Sequence, residues 1–382
     1  MSASTDRTGA ARGQGGAAPR RLLRHVAASV HGAVDPSALR AEGVDPGAIV
    51  DFSSNQSPLG AAPGVRAAVA GAVLDAYPDP RATELAAALA VRHGVDPGQI
   101  VCGNGSTELI RLLAQLALEP DDVAVALAPV FGECEVATAL AGARLEQVPL
   151  AHAGPGAGFF CDEPALRDAL TRLRPRLCWL CSPNNPTGAA LAPALTAALV
   201  ADHPETLFVL DEAYCDLLPE PQWERRSLES GNLVILHSMT KYWGLAGLRL
   251  GHAVAAPAVA AALRAAAPPW SVNACAQKAG AAALADLDHH ERSVALLVAE
   301  RDRLAAGPRD RGWTVEPTTA GFFLIRAGDA ASLRRDLLAR GRLVRDCASF
   351  GLPAYIRVSP RHPEQNELLL ASFSELTPPD AG

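Results

Sequence analysis

The 382-residue chain is predicted to be an α/β protein, with a large domain around a mostly parallel central sheet and a smaller α+β domain after it. Three observations predict this. Short, continuous apolar runs recur from about residue 60, as strands buried on both faces require. Alanine-rich helical stretches separate several of them, the alternation that parallel strands need for their crossovers. Beyond Pro268-Pro269 the pattern changes to a long alanine- and leucine-rich region followed by short strand-like segments.

Taken in order, residues 1–24 are polar, glycine-rich and dotted with arginine, and are expected to be a disordered tail. They hold no apolar block that could act as a secretory signal. Residues 25–60 are read as an arm that joins the smaller domain. The large domain is expected over 61–265 and the small one over 266–382. Residues 62–75 and 82–94 read as helices, with Tyr77-Pro-Asp-Pro80 as the turn between them. A short strand at 100–102 leads through a glycine turn to a helix from about Thr107. Further buried strands are expected at 123–128, 177–181, 207–210 and 233–237. Helices should follow the Pro-Pro pair, then strands near 321–326 and 355–358.

Composition narrows the function. The chain is 49% hydrophobic, enough for a large core, and its net charge of −7 argues against a general nucleic-acid or anionic-membrane surface. No apolar run reaches the roughly 20 residues of a membrane-spanning helix; a soluble, cytoplasmic protein is the expectation. Eight cysteines are expected as free thiols. Cys178 and Cys181 form a CxxC, but within a buried strand residues three apart face opposite ways, so no metal centre is expected there. Among 34 basic residues only two are lysines, Lys241 and Lys278. Chemistry that needs a primary amine has two candidates.

Lys241 lies just after a predicted strand, in His237-Ser-Met-Thr-Lys-Tyr-Trp-Gly-Leu-Ala-Gly-Leu-Arg-Leu-Gly251. An amine held out of water beside hydroxyls suits nucleophilic chemistry such as a Schiff base with pyridoxal 5′-phosphate (PLP); a surface lysine capping a strand is the alternative. Lys278 sits in an alanine-rich helix and is expected to be exposed. Thirty residues before Lys241, Leu210-Asp-Glu-Ala-Tyr214 ends an apolar run. Asp211 could keep a PLP ring nitrogen protonated, and Tyr214 could reach the ring's phenolic oxygen, although strand-end carboxylates also serve as metal ligands. In Cys181-Ser-Pro-Asn-Asn-Pro-Thr-Gly188, Asn185 could donate to the same oxygen, and its bond to Pro186 is a candidate cis peptide. Gly103-Asn-Gly-Ser-Thr-Glu108, between a strand and a helix, either merely turns the chain or cradles a phosphate. In the second case Ser106, Thr107, Ser238 and Arg249 would be the donors. Phe131 could stack on the cofactor ring or be an ordinary core aromatic.

These motifs together resemble the fold type I PLP enzymes, specifically the class I/II aminotransferases, over about residues 31–370. The resemblance implies PLP as cofactor and a homodimer with shared active sites. It also implies that Tyr77 reaches the cofactor phosphate of the neighbouring subunit, and that Arg357 in Tyr-Ile-Arg-Val holds a substrate carboxylate. Within the family the chain is similar to the histidinol-phosphate aminotransferases and the L-threonine O-3-phosphate decarboxylases. His31-Gly32, Asp51–Gly60, Pro269-Trp-Ser-Val-Asn273, Arg345-Asp-Cys-Ala-Ser-Phe350 and Glu364-Gln-Asn-Glu367 are similar to decarboxylase segments. By that analogy His31, Asn55, Arg345 and Arg357 would surround the phosphate and carboxylate of a small amino-acid substrate. Ala33, Ser57, Cys134 and Gly321 depart from the family pattern at positions expected to line or adjoin the substrate pocket.

The leading expectation is therefore decarboxylation of O-phospho-L-threonine or a related amino acid, a reaction of cobalamin biosynthesis. Transamination of the histidinol-phosphate type is the alternative. A third is a specialised-metabolism enzyme that decarboxylates, deaminates or β-eliminates a different amino acid. A non-catalytic PLP-fold binding protein would be a fourth, against which the intact lysine speaks.

Overall fold

The computed structural model describes residues 32, 34–221 and 223–379. Seven strands form its main sheet: β1 (Ile100–Asn104), β2 (Val123–Ala128), β3 (Arg144–Pro149), β4 (Leu177–Cys181), β5 (Leu207–Asp211), β6 (Leu233–Ser238) and β7 (Leu250–Ala255). They lie in the order β1-β7-β6-β5-β4-β2-β3, and all neighbours are parallel except β7, which runs antiparallel to both β1 and β6.

Strict alternation explains the apolar runs. Along β5, Phe208 and Leu210 enter one core and Val209 the other. Along β6, Leu233 and Ile235 take the first face, Val234 and Leu236 the second. Both faces are thus covered, as expected of a parallel sheet wrapped by crossover helices. Helix α1 (Thr83–His93) packs Leu85 and Leu89 on the first face. On the second, α2 (Ser106–Ala117) buries Leu109, Ile110 and Leu113, and α3 (Gly132–Ala141) buries Cys134 and Ala137.

Helices α4 (Ala274–Leu284) and α5 (Leu287–Asp310) follow the Pro-Pro pair. Asn273 caps the first through Ala276 N at 2.8 Å, and Asp286 caps the second through His289 N at 3.1 Å. A three-stranded antiparallel sheet comes next: β8 (Phe323–Arg326), β9 (Arg345–Asp346) and β10 (Tyr355–Val358), with β10 central. Its own core includes Phe323, Ile325, Ile356 and Val358, and Phe52 from the N-terminal segment joins it. Val50 and Asp51 pair in parallel with Arg342 and Leu343.

Sequence expectations and structure differ at a few places. The helix expected over 62–75 spans only Pro63–Ala70 and stops at Gly71, whose N–H closes on Ala67 O. Strands β3 and β7 were not foreseen. Arg144, Glu146 and Gln147 give β3 the look of a polar edge, and Gly251, His252 and Ala253 give β7 no β-branched run. The strand expected from 321 begins at Phe323, because Gly321 N donates instead to the Tyr242 hydroxyl at 3.0 Å.

One buried polar chain ties α3 to the sheet. The indole N–H of Trp179 donates to Thr138 Oγ1 at 3.1 Å, and that hydroxyl donates to Cys134 O at 2.8 Å. Thr138→Val keeps the shape but orphans the indole N–H, so urea unfolding should show a loss of about 1–3 kcal/mol.

Candidate active site

Because the sheet is covered on both faces, polar groups gather where strands end. A cavity of about 860 Å3 opens there. Lys241 lies three residues past β6, and its carbonyl accepts from Ser57 N and Gly244 N, both at 3.1 Å. Gly244 has φ of +72°, and a Cβ on it would strike the Gly60–Ala61 backbone, so only glycine lets that turn close. The Lys241 ammonium stands 5.9 Å from the centre of the Tyr214 ring.

Asp211 is the last residue of β5 and is buried, its Oδ1 accepting from Ala213 N at 3.0 Å. Burial pushes its carboxyl up to about 6, against the opposing pull of the Ala213 N–H and of Lys241. A buried carboxylate of this kind is stabilised by a cationic partner. Tyr214 is also buried; its hydroxyl accepts from Asn55 Nδ2 at 3.1 Å, and its ring meets Phe322 edge-on at 5.0 Å.

The opposite end of the cavity is built for an anion. Gly105, with φ of +75°, turns β1 into α2, and α2 starts at Ser106 without a side-chain cap. Its first N–H groups are therefore open to the cavity that Ser106 and Thr107 line. Strand β7 approaches closely enough that a Cβ on Gly251 would lie 2.5 Å from Ser106 N. The Ser238 and Thr240 hydroxyls are 2.6 Å apart, and both line the cavity with Arg249. A Cβ added to Gly105 would come within 2.9 Å of the Arg249 guanidinium.

Phe131 caps α3 without a side-chain hydrogen bond; it lines the cavity and also packs on the second-face core. Asn185 is buried and its Oδ1 accepts from Arg357, while its bond to Pro186 is cis, as are Ser182-Pro183 and Ala128-Pro129. Arg357 on β10 pairs in register with Arg345 on β9, so two buried guanidinium groups form one wall. Arg357 donates to Ser53 O at 2.6 Å and Arg345 to Ser349 Oγ at 2.7 Å. Phe322 lies 5.2 Å under the first and Phe350 5.4 Å under the second. Burial and the neighbouring Arg357 lower the pKa of Arg345.

The structure thus gathers Lys241, Asp211, Tyr214, Asn55, Asn185, Ser106, Thr107, Phe131, Ser238, Arg249, Arg345 and Arg357 around one cavity. Tyr77 lies outside it, 78% exposed and stacked on Trp270 at 4.3 Å. His31 and Ala33 lie outside the described residues. Ser57, Cys134 and Gly321, expected to line or adjoin the pocket, sit behind its wall. Ser57 bonds Ser293, Cys134 is buried in the second-face core, and a Cβ on Gly321 would strike Leu297 and Tyr242. Sequence reasoning missed Thr240, although its hydroxyl sits two residues from Ser238 in the lysine motif. It also missed Phe322 and Phe350, whose rings carry no local signal.

The donor set fits PLP: an amine, a buried carboxylate, hydroxyl and amide groups, and an open helix end. Asn55 Oδ1 and Arg357 Nε are buried without hydrogen-bond partners, as polar groups awaiting a ligand would be.

Comparison with known proteins agrees. The family described as Aminotransferase class I and II matches residues 48–373. A histidinol-phosphate aminotransferase of Symbiobacterium thermophilum is 40% identical over 337 residues, 86% of this chain and 91% of that one. The crystal structure of histidinol-phosphate aminotransferase from Sinorhizobium meliloti in complex with pyridoxal-5′-phosphate superposes with a TM-score of 0.82 at 27% identity. It covers 95% of this chain and 98% of its own. That of L-threonine-O-3-phosphate decarboxylase from Porphyromonas gingivalis has a TM-score of 0.72 at 28% identity, covering 86% and 99%.

The two lysines separate cleanly in space: Lys278 is exposed and paired with Glu84 at 2.8 Å. The purified enzyme should show a visible cofactor band that borohydride abolishes. Lys241→Ala should lose that band and turnover, while Lys278→Ala keeps both, as read by absorbance.

Proposed function

The chain belongs to the class I and II aminotransferase family and is a PLP-dependent enzyme; from that premise we propose that it transfers an amino group between a phosphorylated amino alcohol of the histidinol-phosphate type and a 2-oxo acid. The observation that carries this reading is the wall formed by Arg345 and Arg357, two buried cations facing one cavity. A two-substrate cycle needs one wall that takes a phosphate in one half and carboxylates in the other. Guanidinium groups bind both with the same planar fork.

Bound PLP supplies an electron sink conjugated to the substrate's amino group. Lys241 would hold it and, once released, carry the proton to and from the substrate's α-carbon. Asp211 would keep the ring nitrogen protonated, which also answers the cost of its own burial. Tyr214 and Asn185 would donate to the ring's phenolic oxygen. Ser106, Thr107, Ser238 and Arg249 would take the cofactor phosphate, and Phe131 would cover the ring. Arg357 would hold the carboxylate of the 2-oxo acid, with Asn55 and Arg345 beside the phosphate of the amino alcohol.

The decarboxylation expected from the N-terminal and inter-lobe segments has less support. The curated relative at 40% identity bears an aminotransferase name, and the aminotransferase structure superposes with a TM-score of 0.82 against 0.72 for the decarboxylase, at nearly equal identities of 27% and 28%. Several of the departures from the family pattern stand behind the cavity wall, and so do not by themselves select a reaction. We also propose a homodimer in which Tyr77 serves the neighbouring subunit's cofactor phosphate. The exposed row Val73, Leu74 and Tyr77 supports a covered surface there.

Mixing the enzyme with histidinol phosphate should convert its cofactor spectrum to the amine form, and 2-oxoglutarate should restore it. Release of CO2 from O-phospho-L-threonine without any such half-reaction would instead support the decarboxylase. Arg345→Leu should lower kcat/KM for histidinol phosphate roughly 10- to 100-fold while sparing unphosphorylated histidinol, measured by stopped-flow half-reactions.

A further inference from the structure

A second cavity, of about 480 Å3, lies on the first face of the sheet, behind the strands that carry the cofactor site. Alternation puts it there. Ser238 serves the active site, so the preceding His237 points the other way; Asp211 does likewise, so the following Glu212 does too. Antiparallel pairing sets His252 of β7 directly opposite His237 of β6, and their rings stack at 4.9 Å with planes 19° apart. Helix α1 ends on His93, whose ring lies 4.5 Å from that of His237 and 5.0 Å from that of His252.

The nitrogens converge. Nε2 of His93 and Nε2 of His252 are 2.8 Å apart, and each of the three rings has a nitrogen within 4.8 Å of the others. Cys215 Sγ stands 3.7 Å from His237 Nδ1, and Glu212 Oε2 stands 3.6 Å from His237 Nε2. His237 Nε2 and His252 Nδ1 are buried without hydrogen-bond partners. Three imidazoles packed ring to ring, with two buried nitrogens orphaned, are a costly way to fill a core.

We propose that His93, His237 and His252 bind a divalent transition metal of the zinc class, with Glu212 or Cys215, each now beside only His237 of the three, shifting in to close the fourth position. Three imidazoles plus one carboxylate or thiolate is a borderline-soft tetrahedral set that suits zinc. Ligand nitrogens around zinc lie about 2.0–2.1 Å from the ion and so about 3.3 Å from one another in a tetrahedral shell; the His93 and His252 nitrogens, 2.8 Å apart, must part slightly to admit it. His93, half-buried at the end of its helix, has the freedom to do this. The ion would staple α1 to β6 and β7 from behind, a structural role independent of the transamination reading.

The test uses the holoenzyme, stripped of metal by a chelator, dialysed and titrated with Zn2+ against a chromogenic zinc indicator. One tight equivalent per chain is expected. His93→Ala should weaken it at least ~10-fold with an unchanged far-ultraviolet circular dichroism spectrum, and Cys275→Ser, away from the cluster, should not. If His93→Ala does not fold, zinc-edge X-ray absorption of the loaded wild-type enzyme decides the matter, with three imidazole ligands expected. Absence of a tight equivalent, equal affinity in a folded His93→Ala protein, or a zinc shell without imidazoles would overturn the proposal and leave the cluster a stacked core of histidines.

Discussion

Polar chemistry in this protein is confined by the double coverage of its sheet. Helices close both faces, so a charged or hydroxyl side chain within an inner strand would be buried without water. Asp211 closes β5, Ser238 closes β6, and the turn after Cys181 presents Asn185. Each polar group sits at or just beyond a carboxyl end, where the next segment peels away and leaves room. The cavity exists because the strands stop there, and its contents follow from which residue each strand stops on.

The same confinement makes the two cores interdependent. Arg357 belongs to the three-stranded sheet, yet it donates to Asn185 after β4 and to the carbonyl of Ser53. Arg361 donates to the backbone of Asp51 and Ser54. Gly32 stands where a Cβ would come within 2.9 Å of the Ser53 carbonyl and 3.3 Å of the Arg357 guanidinium. The N-terminal segment is held between cations, so the wall facing Lys241 is set by the path of the chain before the large sheet begins.

Much of this was legible in the sequence, for physical reasons that differ by element. Strands β1, β2, β4, β5 and β6 read clearly because continuous apolar runs have few other uses in a chain of this composition. The residues that line the cavity read clearly because an amine, a carboxylate and a polar turn each stood beside such a run. Strands β3 and β7 did not, since the first, at the sheet's edge, carries charges and the second, between β1 and β6, carries glycine and alanine. The positions of Ser57 and Gly321 behind the wall were also invisible, because adjacency in sequence to pocket residues says nothing about which way a side chain faces. The histidine cluster was hidden for a related cause. His93, His237 and His252 have no ligand-like spacing along the chain, and only the pairing of β6 with β7 brings two of them together.

That pairing also orders the assembly of the molecule in time. Strand β1 is made early, but its partner is β7, with Ile100 meeting Val254. Loop-closure entropy of so long a connection must be met before the contact repays it. On a ribosome, β2 to β6 can gather as a parallel ribbon while β1 and the N-terminus of α2 wait. The open helix end at Ser106, which needs Gly251 against it, is then among the last parts of the large sheet to form. Closure of that end of the cavity is placed late in the folding of this chain, after Lys241 has already emerged.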